Sequence, residues 1–426
     1  MTKILIITQE IPYPQSTGGR QGVFHFIDKL RYEYEISILF PLFMESEKES
    51  LAKLKKIWDN VSFHVFEGTI NTETKKGGLA TLYDKMYSFP YVVKSKLSGK
   101  NKEINPDTDP VRDRSTLRTS FAIINWSGYI EFISEVVKNN FDIIQVEFYD
   151  FISLVHLLPD NVEKIFVHHE IRYVRNAIEM SFFKHVYPYD EYIFRISKQY
   201  ELDSLKLYDK IITVTEADKE KLQRELPEMA IFASPLMVNL PDNVPDYEYK
   251  FNNKLTFVAS PSHFPNLDGM HWFVAEIWPL LSKKYSSLEL HLVGKGWSPE
   301  MFQGLNITNT FFDGYVEDLG DVLPNSISIV PIRIGSGMRM KILEAAHYKI
   351  PFVTTTVGVE GLDFLDGKDC YIEDKAEDFA KAVEKLIDSK DTQKQFVKES
   401  FETLHKIYNN ESLISKRRFI YEAKNG

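Results

Sequence analysis

The sequence predicts an α/β protein made of two units, each a parallel sheet with helices around it. The length of 426 residues corresponds to two domains, at roughly 100 to 200 residues per domain. Short apolar runs rich in β-branched residues alternate with longer amphipathic stretches in both halves, a pattern typical of βαβ units. These runs are 3–8, 35–41, 141–147, 163–169, 209–215, 255–260, 288–294, 326–332 and 351–356.

A proline-rich stretch of low periodicity separates the two halves and indicates an interdomain linker. We place an N-terminal domain at 1–240, the linker at 241–254 and a C-terminal domain at 255–405. Residues 406–426 are expected to form a helical tail that packs back on the N-terminal domain. The segment at about 71–125 breaks the alternation and predicts an irregular insertion. Its lysines and aromatic residues are suited to contact an anionic membrane surface or an acidic acceptor, although a solvated lysine face over an aromatic core is the simpler interpretation.

Composition and charge exclude several classes of protein. The 51 basic and 61 acidic residues give a net charge of −10, which argues against a surface built to bind nucleic acid. The single cysteine, Cys370, cannot form an internal disulfide, and neither a signal-peptide pattern nor an uninterrupted apolar stretch of about 18 residues is present. We therefore expect a cytoplasmic protein, with peripheral contact at the inner face of a membrane as an option.

A glycine-rich loop follows the strand predicted at 326–332. Gly335, Ser336 and Gly337 allow the backbone to pass close to a ligand before a helix that is predicted to begin near Met338. The N-terminus of a helix attracts anions because its first N–H groups have no partner within the helix. The loop is therefore the first candidate for a phosphate site.

Three charged residues at the start of this helix strengthen the prediction. Arg339 and Lys341 add positive charge beside the loop, as a diphosphate requires, although isolated surface cations are the alternative interpretation. Glu344 follows Lys341 by three residues and so lies on the same helical face. Its carboxylate can accept two hydrogen bonds from a ribose diol while the cations hold the phosphates.

These residues belong to a longer pattern that resembles the GT-B glycosyltransferases of family 4. In the second domain the resemblance lies in FVASPSHFPNLDGMHWFVAEIWPLL, LHLVGKGW and PIRIGSGMRMKILEAAHYKIPFVTTTVGVEGL, and in the first in ILIITQEIPYPQSTGGRQG, HHEIRYVR and ITVTEADKEKL. The resemblance implies two Rossmann-like domains that face each other across a cleft. It also implies transfer of a sugar, with retention, from a nucleoside-diphosphate sugar to a hydroxyl of a glycan or lipid-linked acceptor, in bacterial surface polysaccharide synthesis.

The sequence departs from the family pattern at the donor site. Members commonly have two glutamates separated by seven residues, and the second corresponds to Glu344, whereas the first falls at Ser336. Ser336 and the loop N–H groups would then replace the missing carboxylate. The Arg and Lys that many members carry after the first strand of this domain are also missing from SPSHFPNLDG, so Arg339 and Lys341 are left as the phosphate cations.

The resemblance assigns further residues to the cleft. His169, followed by Glu170, is expected to contact the donor sugar, with a structural role as the alternative and His168 the weaker candidate. Gly18 and Gly19 let the backbone approach the phosphate or the acceptor, or else form a tight turn. The remaining donor-binding residues surround the nucleobase or close the sugar end, and are Gly294, Gly296, Tyr315, Val316, Gly358, Glu360 and Gly361.

The expected mechanism uses His169, Arg339 and Lys341 and needs neither a metal nor a cofactor beyond the donor, because fixed cations stabilise the leaving diphosphate. Asp107 and Asp109 match the metal-binding DxD pattern but lie in the irregular insertion, where a surface turn is favoured. Two alternatives stay open: a nucleotide-sugar 2-epimerase, which needs more carboxylates and histidines in the cleft, and a catalytically silent partner of another glycosyltransferase. A dinucleotide oxidoreductase is disfavoured because GGRQG is not G-x-G-x-x-G.

Overall fold

The computed structural model describes residues 1–15, 17–68, 109–121, 124, 126–237 and 247–423. Most of the predicted insertion at 71–125, including its lysines, lies outside these residues. So does the first half of the predicted linker, 241–246.

The N-terminal domain contains a parallel sheet of seven described strands in the order β3-β2-β1-β4-β5-β6-β7. Its interior strands are buried on both faces, which explains their continuous apolar runs. One apolar cluster packs on each face of this sheet. The strands are β1 Lys3–Ile7, β2 Glu35–Leu42, β3 Ser62–Glu67, β4 Ile143–Glu147, β5 Glu163–His168, β6 Lys210–Thr213 and β7 Ala230–Ala233.

The C-terminal domain contains a second parallel sheet, with six described strands in the order β10-β9-β8-β11-β12-β13. A single apolar cluster joins its two faces to the surrounding helices. The strands are β8 Lys254–Val258, β9 Glu289–Val293, β10 Thr310–Gly314, β11 Ile327–Val330, β12 Phe352–Thr354 and β13 Tyr371–Ile372.

Helices connect the strands and cover both sheets. In the N-terminal domain they are Gly18–Leu30, Glu45–Ile57, Pro110–Arg114, Tyr129–Val136, Arg172–Ser181, Pro188–Leu205 and Glu216–Glu225, with 3-10 segments at Thr116–Thr119 and Tyr149–Leu157. In the C-terminal domain they are Phe264–Trp272, Trp278–Lys284, Met340–His347, Thr356–Val359, Ala376–Asp388 and Lys390–Ile407, with a π turn at Phe273–Ile277 and 3-10 segments at Pro299–Phe302 and Leu319–Asp321. Among the described helices, none has the length and apolar composition that crossing a membrane requires.

The last helix, Asn410–Glu422, packs on the N-terminal domain rather than on the domain that precedes it. Leu413 and Ile420 enter the apolar cluster on one face of the first sheet. The buried ammonium of Lys210 donates to the carbonyl oxygens of Ile420 and Ala423, at 2.9 and 2.5 Å, and thereby caps the helix. The helix Asn410–Glu422 is therefore part of the N-terminal domain.

Candidate functional site

The two sheets are brought together at the carboxyl ends of their strands, where parallel α/β sheets bind ligands. The segments after β5 and β6 of the first domain contact the segments after β11 and β12 of the second. The predicted glycine loop lies in the middle of this contact. The candidate site is therefore the cleft between the domains.

The glycine loop is held by the N-terminal domain. Ser336 Oγ accepts a 2.8 Å hydrogen bond from the backbone N–H of Ile171, and the N–H of Gly337 donates to Asp218 Oδ2 at 3.0 Å. A Cβ at Gly337 would lie 2.2 Å from the carbonyl oxygen of His169, and its φ of +79° also favours glycine. The Ser336 hydroxyl and the Gly337 N–H thus already have protein partners, and the predicted contacts of Gly335, Ser336 and Gly337 with the donor stay a prediction.

Arg339 is the most deeply buried cation of the loop. The helix begins at Met340, two residues later than predicted, so Arg339 is its N-cap. The residue is only 7% exposed, its Nη1 donates to the carbonyl oxygen of Gly337, and its Nη2 has no hydrogen-bond partner in the described part of the chain. Burial lowers the pKa of the guanidinium although nearby carboxylates oppose this. A buried guanidinium with a free N–H is suited to bind an anion.

Lys341 lies in the first turn of this helix, close to the first helix of the C-terminal domain. Its ammonium donates to Asn266 Oδ1 at 3.0 Å, and the Asn266 amide is held by a 2.8 Å hydrogen bond to the carbonyl oxygen of Ser260. Burial and the neighbouring Arg339 lower the pKa of Lys341 to about 8. Sequence reasoning missed Asn266, although it lies in the SPSHFPNLDG stretch that was searched for cations.

Glu344 faces the first helix of the N-terminal domain. Its side chain forms a hydrogen bond with Gln21, and burial raises the pKa of the carboxyl group. The three residues singled out at this helix, Arg339, Lys341 and Glu344, therefore all point toward the cleft region, and Glu344 has a protein partner there.

Gly18 and Gly19 begin the helix Gly18–Leu30, so they do not form the tight turn that was the alternative interpretation, and their approach to the phosphate or the acceptor stays a prediction. Thr17 caps this helix by accepting from the N–H of Arg20. A Cβ at Gly18 would lie 2.7 Å from Met340 Cγ, and one at Gly19 would lie 2.7 Å from the Phe148 ring. Both glycines are thus explained by close packing, one of them across the domain interface.

The two adjacent histidines have different surroundings. The Nε2 of His169 lies 2.6 Å from Glu147 Oε2, and the ring stacks on Phe148 with centroids 4.1 Å apart. The Nε2 of His168 lies 2.7 Å from Glu201 Oε1 in the domain interior, where both side chains are fully buried. His169 follows the end of β5 beside the glycine loop, so it is the histidine that borders the cleft.

A buried ion cluster that the sequence did not reveal lies directly beside His169. Arg175 Nη1 donates to both oxygens of Glu170, at 2.9 and 3.2 Å, and its Nε donates to Glu179 at 2.8 Å. The same Nη1 donates to His263 of the C-terminal domain at 3.3 Å. Burial alone would raise the pKa of Glu170, but Arg175 and the other nearby positive groups lower it to about 2.

The second contact between the domains involves the residues predicted to close the sugar end. Glu360 accepts a 2.7 Å hydrogen bond from the Lys221 ammonium, and a Cβ at Gly361 would lie 2.5 Å from Thr215 Cβ. The N–H of Gly358 donates to the Thr355 hydroxyl in the first turn of a short helix. These residues join the domains, and their role in donor binding stays a prediction.

The residues predicted around the nucleobase follow β9 and β10. Gly294 has a φ of +140°, and a Cβ there would lie 2.1 Å from the carbonyl oxygen of Ala259, so two strand ends meet closely at this point. Gly296 follows with a φ of +107°. Tyr315 is 63% exposed and Val316 half-buried. An exposed aromatic ring beside a strand end is available for stacking.

The DxD-like motif falls only partly within the described residues. Asp109 caps the helix Pro110–Arg114 by accepting from the N–H of Arg112, and also accepts from the N–H of Lys184 at 2.8 Å. Asp107 lies outside the described residues. Within those residues, no group of three or more His, Cys, Asp or Glu is arranged to hold a metal ion.

Comparisons with known proteins assign a class to the C-terminal domain. Residues 252–389 match the family Glycosyl transferases group 1. Across the whole chain, an uncharacterized 44.6 kDa protein in the cps region of Klebsiella pneumoniae is 22% identical, with 97% of this chain and 98% of that protein covered.

Solved structures match over nearly the full length. A variant of S. aureus TarM in complex with fondaparinux, alpha-GlcNAc-glycerol and UDP is 14% identical, with a TM-score of 0.66 and coverage of 99% of this chain and 100% of that one. Sucrose-phosphate synthase from Thermosynechococcus elongatus is 11% identical, with a TM-score of 0.65 and coverage of 99% and 98%. The prediction of a GT-B fold, α/β with two Rossmann-like domains, is confirmed by these matches.

Proposed function

We propose that the protein is a retaining, metal-independent glycosyltransferase that moves a sugar from a nucleoside-diphosphate sugar to a hydroxyl of a glycan or lipid-linked acceptor. The observation that carries the proposal is the pair of cations at the cleft. Arg339 has an unpartnered N–H among the described residues and Lys341 has an amide oxygen as partner, within a domain of the glycosyl transferases group 1 type.

The cations explain how the leaving group departs. Breaking the anomeric C–O bond leaves negative charge on the diphosphate, and fixed positive groups in a site with little water stabilise this charge most effectively. Arg339 supplies a buried N–H, and Lys341 is held in place through Asn266. In a retaining reaction the acceptor hydroxyl enters on the leaving-group face and gives its proton to the departing phosphate oxygen, so no protein base is required.

The donor sugar lies on the other side of the diphosphate, toward the N-terminal domain. His169 borders this space, and its Nδ1 has no hydrogen-bond partner in the described part of the chain. A hydroxyl of the donor sugar satisfies this nitrogen. Glu344 reaches the ribose once its hydrogen bond with Gln21 is released.

The relatives support the classes of donor and acceptor. The TarM variant binds UDP together with saccharide ligands, and the Klebsiella relative belongs to a cps region. We place the reaction in bacterial surface polysaccharide synthesis, in the cytoplasm. Peripheral contact with the inner face of a membrane is proposed on the lysine and aromatic composition of the segment 71–125.

A thermal-shift panel tests the proposal. UDP, GDP, ADP, CDP and their common sugar conjugates are each added with magnesium and with EDTA, because a ligand of the folded state stabilises it by about 2.7 kcal/mol at 100 times its Kd. A shift with one diphosphate, unchanged by EDTA, is expected, followed by transfer from the matching sugar conjugate with retention. Absence of a shift with every nucleotide would contradict the proposal and favour a silent partner, whereas conversion of the free donor to an epimer would favour the epimerase.

A further inference from the structure

A chain of buried polar side chains connects the C-terminal helix to the cleft. The hydroxyl of Tyr421 donates to Gln145 Oε1 at 2.7 Å, and Arg417 Nη1 donates to the same oxygen at 3.4 Å. Gln145 Nε2 donates to Glu147 Oε1 at 2.5 Å, and Glu147 Oε2 lies 2.6 Å from His169 Nε2. The chain therefore runs from the last helix, through two residues of β4, to the histidine at the cleft.

The chemistry of the donors fixes the orientation of each group. A guanidinium only donates hydrogen bonds, so the Gln145 atom that faces Arg417 is the carbonyl oxygen. The amide nitrogen of Gln145 must then face Glu147, to which it donates. Because Glu147 accepts at both oxygens as a carboxylate, His169 must carry a proton on Nε2.

The consequence appears at the other ring nitrogen. Neutral His169 in this arrangement has a lone pair on Nδ1, and Nδ1 is buried and has no partner in the described part of the chain. The ring cannot turn freely, because its face stacks on Phe148, whose ring in turn packs against Gly19. Nδ1 is thus held in one place as an unsatisfied acceptor.

We infer that Glu147 is a positioning residue for His169. It holds the imidazole as the Nε2–H tautomer, so that Nδ1 accepts a hydrogen bond from a hydroxyl of the bound substrate. Gln145, fixed by Tyr421 and Arg417 of the C-terminal helix, holds Glu147 in turn. The substrate in this inference rests on the proposed function, whereas the tautomer does not.

Glu147→Gln tests the inference because it reverses the hydrogen bond at His169. Gln145 still donates to position 147, so the new amide turns its oxygen toward Gln145 and its NH₂ group toward the imidazole. Nε2 must then accept, and the proton moves to Nδ1. The tautomer is read from ring ¹⁵N shifts of histidine-labelled protein at a pH where the ring is neutral, with His169→Ala to assign the signals.

The expected result is an Nε2–H signal for His169 in the wild-type protein and an Nδ1–H signal in Glu147→Gln. Glu201→Gln is the matched control, since it changes the other imidazole–carboxylate pair, and the His169 signal should then be unaltered. An Nδ1–H signal in the wild type, or the same tautomer in Glu147→Gln, would overturn the inference. Tyr421→Phe leaves the Glu147 carboxylate in place, so the Nε2–H signal of His169 should be retained. That proton should exchange with solvent faster, because Gln145 has lost one of its two partners on the C-terminal helix.

Kinetics separate a positioning role from a purely structural one. Glu147→Gln should lower kcat about tenfold or more while the thermal shift with the nucleoside diphosphate is retained, because the proposed diphosphate site is formed by Arg339 and Lys341 rather than by His169. In the His169→Ala background the same substitution should change kcat less than about twofold, since both act through one group. Additive losses would overturn the inference. If the wild-type protein turns over no donor, the proposed function fails, and the tautomer measurement still decides the role of Glu147.

Discussion

The two faces of the cleft carry similar charged residues but satisfy them differently. On the N-terminal face, Arg175 contacts the carboxylates of Glu170 and Glu179, so one cation meets two anions. On the C-terminal face, Arg339 donates to a backbone carbonyl and Lys341 to an amide oxygen. The cation of the N-terminal face therefore has ionic partners within the protein, whereas the two cations of the C-terminal face donate to neutral groups.

This difference indicates where an anion binds. Buried charges in folded proteins are normally paired, and an incompletely paired one marks a position where a ligand supplies the partner. The lowered pKa of Lys341 and of Arg339 has the same physical cause, since burial disfavours the charged form until an anion is present. Variants of residues on the two faces should therefore differ in their effects on turnover and on stability.

The largest effect is expected at Arg339. Arg339→Ala removes the buried N–H groups from the leaving diphosphate, and kcat should fall about 100-fold to 1,000-fold, as for other groups that stabilise charge in a transition state. Arg224→Ala is the control, because the Arg224 side chain is 77% exposed on a helix of the N-terminal domain. Wild-type turnover in Arg339→Ala would contradict the assignment of the anion-binding site to the C-terminal face.

Substitution of the two adjacent histidines should have different effects, mainly on stability at His168 and mainly on turnover at His169. His168→Ala leaves the buried Glu201 without one of its partners and should lower the free energy of unfolding by about 2 to 3 kcal/mol. His169→Ala should destabilise less and lower turnover more. Denaturant unfolding and donor turnover of both variants check this, and an equal loss of stability in the two would contradict the assignment.

A smaller effect is expected from the pH dependence of Lys341. Its pKa is about 8 in the folded protein and 10.5 in an unfolded chain, so between these values the unfolded state binds more protons. The free protein should therefore gain stability as the pH rises from about 8 to about 10.5. Lys341→Met should stabilise the protein below pH 8 and flatten this rise. Thermal unfolding of both proteins between pH 7 and 10.5 measures this pH dependence of stability. An identical pH profile in Lys341→Met would show that Lys341 is not a buried, incompletely paired ammonium.

The smallest effect is expected for the ion pair between the domains. Lys221 and Glu360 are about 30% exposed, and such a pair contributes about 0.2 to 1 kcal/mol. Lys221→Met should cost at least this amount, because Lys221 also lies 3.9 Å from Asp218, and it should cost less in a Glu360→Gln background, where the pair is already broken. A double-mutant cycle of unfolding free energies provides the measurement, and additive losses would show that the pair does not couple the domains.

The nine interior strands of the two sheets could be predicted from the sequence because they are buried on both faces, whereas the edge strands β3, β7, β10 and β13 were not predicted. The run at 163–169 corresponds to Glu163–His168, and that at 255–260 overlaps Lys254–Val258. Continuous β-branched runs of this length have few other environments, so their positions are readable locally. The same holds for Arg339, Lys341 and Glu344, which lie close together because they share one helix and its cap.

Contacts between residues that are distant in the chain could not be predicted from the sequence. Asn266 lies 75 residues before Lys341, and Glu147 lies 22 residues before His169. A single sequence contains no signal that pairs such residues. The packing of Gly18 against Met340 and of Gly19 against Phe148 could not be predicted for the same reason, since these partners are distant in sequence. Ser336 suggested a ligand contact by its position in the family pattern, but its hydroxyl accepts from Ile171.

We propose that the C-terminal face of the cleft binds the diphosphate through Arg339 and Lys341. The most direct test is calorimetric titration with the nucleoside diphosphate that the thermal-shift panel selects, and with its nucleoside. Both ligands are titrated into the wild-type protein and into the double variant that combines Arg339→Ala with Lys341→Met. The diphosphate should bind the wild-type protein far more tightly than the nucleoside does, and the double variant should lose this difference in affinity. Equal affinity for the two ligands in the wild-type protein, or a preference for the diphosphate that persists in the variant, would contradict this proposal.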